Sequence, residues 1–143
     1  MKASPYAYLI IRQFEGLRLT AYRCPSGTLT IGYGHTSNVR EGQTITQTQA
    51  EHLLQEDVNQ VEAYLNSANL KLTQSQFDAL TSLIFNIGPS AFQSSTLFNI
   101  IRLDPTSPEI ATQFRRWIYS RGQILSGLQR RREAEIELYC QPD

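Results

Sequence analysis

The sequence predicts an α+β fold that is mainly helical, with a small β element near the N-terminus followed by a helical bundle. Three observations carry this. Two capping boxes open stretches whose apolar residues recur at helical spacing, a Ser-Pro start and a Gly stop bracket a short N-terminal helix, and two Thr- and Tyr-containing runs flank a turn.

Ser4 is a good N-cap, Pro5 suits the first helical position and Gly16 is a stop, so residues 5–15 read as a helix ending on Glu15. Leu17 to Tyr22 and Thr28 to Tyr33 then read as short strands. The intervening Arg23-Cys24-Pro25-Ser26-Gly27 has turn chemistry, giving a hairpin. Thr46 with Gln49 and Thr73 with Gln76 have capping-box spacing, in which hydroxyl and amide each satisfy the other residue's backbone N–H. Ala50, Leu53, Leu54, Val58, Val61, Tyr64 and Leu65 follow the first box as an amphipathic helix of about five turns. Phe77, Leu80, Leu83, Ile84 and Ile87 follow the second, closed by Gly88-Pro89. Ser107-Pro108 is expected to open a helix carrying Ile110, Phe114, Trp117 and Ile118, with Trp117 and Phe114 packed in the bundle. A last helix runs through Leu128 to Tyr139.

Composition narrows the function. A chain of 143 residues that is 41% hydrophobic and 18% charged can bury one core and predicts one domain. Lys and Arg number 13, as do Asp and Glu, so the cation surplus that sequence-independent nucleic-acid binding requires is missing. Cys24 and Cys140 form no CxxC pair or zinc-type array, which argues against a disulfide scaffold and leaves no metal site to propose. The longest N-terminal apolar run, Tyr6 to Ile11, stops at Arg12 and is too short for a membrane span or an export signal.

Candidate chemistry lies in the first third. Glu15 ends its helix, where the negative end of the macrodipole disfavours a bare carboxylate; such a Glu can be simply solvated, or can serve as a general acid. Cys24 follows nine residues later in the hairpin turn, and Thr30 six further on, before Ile31-Gly32-Tyr33-Gly34-His35-Thr36, whose glycines suit close approach of a ligand.

The run Glu15 to Tyr22, then Gly27, then Thr30 to Thr36, resembles the phage-type lysozymes, the muramidases of glycoside hydrolase family 24. Phe77-Asp78-Ala79-Leu80, Phe85-Asn86-Ile87-Gly88, Ser95-Thr96-Leu97, and Gly127-Leu128 with Arg131, Arg132 and Glu135 extend the likeness over nearly the whole chain. The ordered set is specific where GxGH alone would be weak.

The resemblance implies a two-lobed fold. A small hairpin lobe of about 14–46 and a helical lobe of about 70–143 plus helix 5–15 would be joined by a long helix of about 47–66, with the substrate cleft between them. It implies hydrolysis of the β-1,4 bond between N-acetylmuramic acid and N-acetylglucosamine in bacterial peptidoglycan, without metal or cofactor. The family's catalytic pattern, E-x8-D-x5-T, reads here as Glu15, Cys24 and Thr30, so Cys stands where an Asp is usual. Glu15 is then the general acid. A free thiol near 8.5 is mostly protonated at neutral pH, so Cys24 supplies a charge only if a cation such as Arg23 or Arg18 lowers it, and otherwise positions water or is a bystander. The resemblance also assigns Phe85, Asn86 and Thr96 to sugar contacts, though Phe85 also fits a core position. It pairs His35 with Asp57 as a structural ion pair, and brings one of Arg130, Arg131 and Arg132 to Glu15 across the cleft. Arg131 is the residue expected to bind substrate.

A missing second carboxylate leaves two other readings open, a lytic transglycosylase giving 1,6-anhydro products and a dead wall-binding module. The family implies a monomer stored in the host bacterial cytoplasm, without stable membrane insertion, that reaches the wall after a holin permeabilises the membrane.

Overall fold

The computed structural model describes residues 1–142. In chain order the elements are α1 (Pro5–Glu15), β1 (Arg18–Arg23), β2 (Leu29–Gly32), α2 (Gln47–Ser67), α3 (Gln74–Ile87), α4 (Pro89–Gln93), α5 (Thr96–Leu103), α6 (Ile110–Phe114), β3 (Tyr119–Ser120), β4 (Gln123–Ile124) and α7 (Ser126–Tyr139).

The caps act as their residue types dictate. Ser4 accepts from the Tyr6 backbone N–H at the start of α1, and Gly16, at φ 70, ends it. Both capping boxes form in full, Thr46 with Gln49 opening α2 and Thr73 with Gln76 opening α3. The segment before α1 is tied to α2 and α3. Ala3 donates its N–H to Glu62 at 2.6 Å, and Ser4 gives Asp78 its backbone N–H at 2.8 Å and its hydroxyl as well.

β1 and β2 pair antiparallel, with Tyr22 opposite Thr30 and an irregularity between Arg18 and Tyr22. The far edge of β1 is covered by 43–45, which exchanges backbone hydrogen bonds with Leu19 and Ala21. Beyond α2 the chain is helical except for the β3–β4 hairpin, whose turn residues Arg121 and Gly122 have φ 51 and 75.

α3 is at the centre and is buried nearly all round, its inward polar side chains as well as its apolar ones. Every residue from Gln76 to Ile84 is buried. Phe77, Leu80, Leu83 and Ile84 pack with Val61, Leu65, Phe92, Leu97, Ile101, Phe114 and Tyr139 in the larger core. A smaller core of Ile11, Tyr33, Ala50, Leu54 and Val58 lies where α1 and α2 meet the loop after β2, and Phe85 touches both.

Two expectations are corrected. The helix after Ser107 ends at Phe114, and Trp117 and Ile118 lead instead into a β-hairpin. α4 and α5 were not foreseen, although Ser95 caps α5 by accepting from the Phe98 N–H, and Leu97 and Ile101 form its buried stripe.

Candidate active site

A cleft of about 1140 Å³ opens between the sheet and the helices. Glu15 at the end of α1, Cys24 and Thr30 from the hairpin, Phe85 and Asn86 from the end of α3, and Arg131 from α7 all line it. Thr96 does not; it is exposed at the first turn of α5. His35 and Asp57 sit off the cleft wall, with His35 Nδ1 2.8 Å from Asp57 Oδ2. Burial pushes the Asp57 carboxyl up from the usual carboxylate value, against the pull of His35.

Glu15 is held from two sides. Arg131 Nη1 donates to its Oε2 at 2.5 Å, so of the three consecutive arginines Arg131 is the one that meets the acid. Gly34, at φ 73, passes so close to Glu15 that a Cβ there would overlap the carboxyl oxygen Oε1. The Glu15 side chain keeps 19% exposure, open to the cleft, whereas Arg131 keeps 3%. The guanidinium is fully engaged by protein. Its Nε donates to Glu135 Oε2 at 3.2 Å and its Nη2 to the Ser82 carbonyl at 3.1 Å. Arg131 therefore presents Glu15 to the cleft and has little left to offer a sugar directly. Asn86 is fixed in a similar way. Arg132 Nη2 donates to its Oδ1 at 2.6 Å, which leaves the amide NH₂ free to donate.

On the opposite wall Cys24 Sγ lies 2.9 Å from the Ser26 hydroxyl, and the Thr30 hydroxyl donates to the Thr28 carbonyl at 3.0 Å. Burial pushes the Cys24 thiol up. Hydrogen bonds from the Ser26 hydroxyl, the Ser26 and Thr28 backbone N–H groups and the Thr30 hydroxyl outweigh this and bring it down to about 7. The expected cation is not the cause. Arg23 is turned onto Gly27 O and Glu41, and Arg18 stacks 4.2 Å over the Tyr22 ring. The turn itself tunes the thiol.

Two aromatic residues of the cleft lie where a helix was expected. Trp117 and Tyr119 line its far end, and Trp117 also packs on the larger core. Their spacing of two residues before Arg121-Gly122 is a strand signal, weakened by an Arg where Asn or Asp usually marks such a turn. From this hairpin Arg121 reaches the β1–β2 turn, its Nη2 3.2 Å from where a Gly27 Cβ would stand. Among the described residues no three His, Cys, Asp or Glu side chains gather as a metal site, and no helix is long and apolar enough to cross a membrane.

A partly open carboxyl at a helix end faces a hairpin across the cleft, the arrangement of a lysozyme-type hydrolase. The Phage lysozyme family model matches residues 12–135, and the chain belongs to that family. It is 44% identical over 144 residues to an endolysin of Acyrthosiphon pisum secondary endosymbiont phage 1, covering 97% of this chain and 98% of that protein. A Bacillus phage PZA endolysin is 40% identical over 97% of this chain, which spans about half (55%) of that longer relative. Among solved structures, the muramidase domain of SpmX from Asticaccaulis excentricus superposes with a TM-score of 0.87 at 38% identity over 99% of both chains. The chain is a lysozyme, a hydrolase of the endolysin group that degrades peptidoglycan.

Proposed function

We propose that this lysozyme is an endolysin that hydrolyses the β-1,4 bond between N-acetylmuramic acid and N-acetylglucosamine, with Glu15 as general acid and Cys24 and Thr30 holding the attacking water. The observation that carries it is the pairing across one cleft of a clamped, partly open carboxyl with a thiol near 7. Glu15 gives its proton to the glycosidic oxygen as the bond breaks and oxocarbenium character develops on the sugar. A water positioned or activated by Cys24 and Thr30 then attacks the anomeric carbon and gives up its proton to the Cys24 thiolate, or to the ionised Glu15 where the thiol is neutral. With the thiol brought down to about 7, part of it is thiolate near neutral pH, which supplies part of the negative charge an Asp would give. Phe85 and the free NH₂ of Asn86 offer an apolar face and a donor to the sugar. Proton transfer and electrostatics suffice for this chemistry, so the proposal invokes no cofactor. It extends to one two-lobed domain acting as a monomer, kept in the host cytoplasm until a holin opens the membrane.

The test is digestion of purified peptidoglycan by wild type, Glu15→Gln and Cys24→Ala in parallel, with the products read by mass spectrometry. Reducing-end muropeptides that vanish with Glu15→Gln and fall with Cys24→Ala are expected. Substantial activity of Glu15→Gln would remove the general-acid assignment, and an unchanged rate in Cys24→Ala would make the thiol a bystander. Anhydro ends would identify a transglycosylase. Wall binding without products would mark a binding module.

A further inference from the structure

Three of the six charged residues of α7 face inward. Arg131, Arg132 and Glu135 keep 3%, 0% and 0% exposure on the face toward α3, where an amphipathic helix would place Leu or Ile. Charges buried this completely are costly unless their arrangement compensates, and replacing such a set with apolar residues is often stabilising. Stability alone is thus a weak reason for this set.

Its geometry points to the cleft. Glu135 receives Arg131 Nε at 3.2 Å and the Ser82 hydroxyl at 2.6 Å on Oε2, and its Oε1 lies 2.9 Å from Arg132 Nε in a contact too bent for a hydrogen bond. The far ends of the same two guanidiniums grip Glu15 and Asn86. One buried carboxylate is therefore the common counter-ion of two arginines, one placing the acid and the other placing the cleft amide. Burial pushes the Glu135 carboxyl up, while Arg132 and Arg131 pull it down. With both carboxyls ionised the group holds two positive and two negative charges, and protonating Glu15 leaves one excess positive charge.

With Glu15 taken as the acid as proposed above, we infer that Glu135, seated on Ser82, is a positioning residue for the hydrolysis. It holds Arg131 on Glu15 and Arg132 on Asn86. Without that charge the pull of Arg131 and Arg132 falls on Glu15 alone, which is expected to favour the carboxylate form there. The other groups around Glu15 are few. Tyr22 faces it from β1, with its phenol pushed up by burial and by the Glu15 charge, and Cys24 faces it across the cleft. α3 contributes only Ser82 and Asn86, and His35, next to Gly34, is tied to Asp57. None of these takes the place of the Glu135 charge.

The experiment is the pH–rate profile of wall digestion for wild type, Glu135→Gln, Glu135→Asp and Ser82→Ala, with folding followed by circular dichroism and Glu15→Gln as reference. Glu135→Gln is expected to move the alkaline limb toward acid by about one pH unit and to raise KM through a loosened Asn86. Ser82→Ala, which strips a donor from Glu135 but leaves its charge, should move the limb little, and Glu135→Asp should bring it part of the way back from its position in Glu135→Gln. A folded Glu135→Gln whose activity falls equally at every pH, with the limb unmoved, overturns the inference and leaves Glu135 structural. If Glu135→Gln does not fold, Glu135→Asp decides: a limb displaced toward acid, as the shorter side chain draws the charge away from Arg131, supports the inference, and an unmoved limb overturns it. An active Glu15→Gln would instead remove the general acid itself, an outcome separate from the position of the limb.

Discussion

Cys24 is where a single side chain sets the working range. Its thiol, brought to about 7 by the turn around it, is charged above that pH and neutral below it. The charge that the proposed mechanism places beside the attacking water is therefore lost as pH falls through about 7. An Asp at the same position, with an ordinary value near 4, stays charged over that interval. Cys24→Asp should thus gain on wild type as the assay is taken from about pH 8 to about pH 5, because only the thiol titrates in that window. Turbidity clearing of purified walls across the range measures the ratio, and two curves that stay parallel would show that the charge at residue 24 does not limit the rate. Glu15, Cys24 and Thr30 stand out in the sequence because their spacing is fixed by one helix end and one hairpin. The cause of the low thiol value is not legible there. It depends on where a five-residue turn aims the Ser26 hydroxyl and its backbone N–H groups, and the arginines adjacent in sequence point elsewhere.

Helix ends were the most legible elements, since a cap is a local contract between neighbouring residues. Ser4, Pro5 and Gly16 mark the bounds of α1, and Thr46 and Thr73 mark the starts of α2 and α3. α1 was harder to see as a strut. Ser4 caps it and also donates to Asp78, which is 1% exposed, so the cap fastens the helix to α3 as well. Ser4→Ala should lower stability by about 1–2 kcal/mol in urea unfolding, since it removes a cap and one of the donors to a buried carboxylate. A loss below about 0.3 kcal/mol would mean that water replaces the hydroxyl without cost. α5 and the β3–β4 hairpin were missed for different reasons. α5 is only eight residues long, so its stripe of Leu97 and Ile101 gives little periodicity to read, while the hairpin depends on two left-handed turn residues, one of them an Arg. α7 hid its role because its inward face is charged, and a search for apolar spacing passes over such a face.

At the scale of the whole molecule, α3 is the piece every other part leans on. It packs against α1, α2 and α7, and its C-terminal residues Phe85 and Asn86 form part of the cleft wall. Leu80→Ala, at a site with no exposure, should cost about 2–5 kcal/mol and carry sheet and helices through one shared unfolding transition. Near-ultraviolet and far-ultraviolet circular dichroism followed through the same urea series would show this. Two separated transitions would mean that the smaller core around Ile11 and Leu54 stands alone.

The grip on Glu15 joins residues 116 positions apart, from the first helix to the last. On the ribosome, the hairpin and the long helix can form while α7 is still unsynthesised. Until then the acid has no partner to hold it, and Asn86 lacks the arginine that fixes its amide. A nascent or C-terminally clipped chain thus carries the residues of the lytic site without their alignment. The order of synthesis itself delays the alignment of Glu15 and Asn86 until α7 has been made.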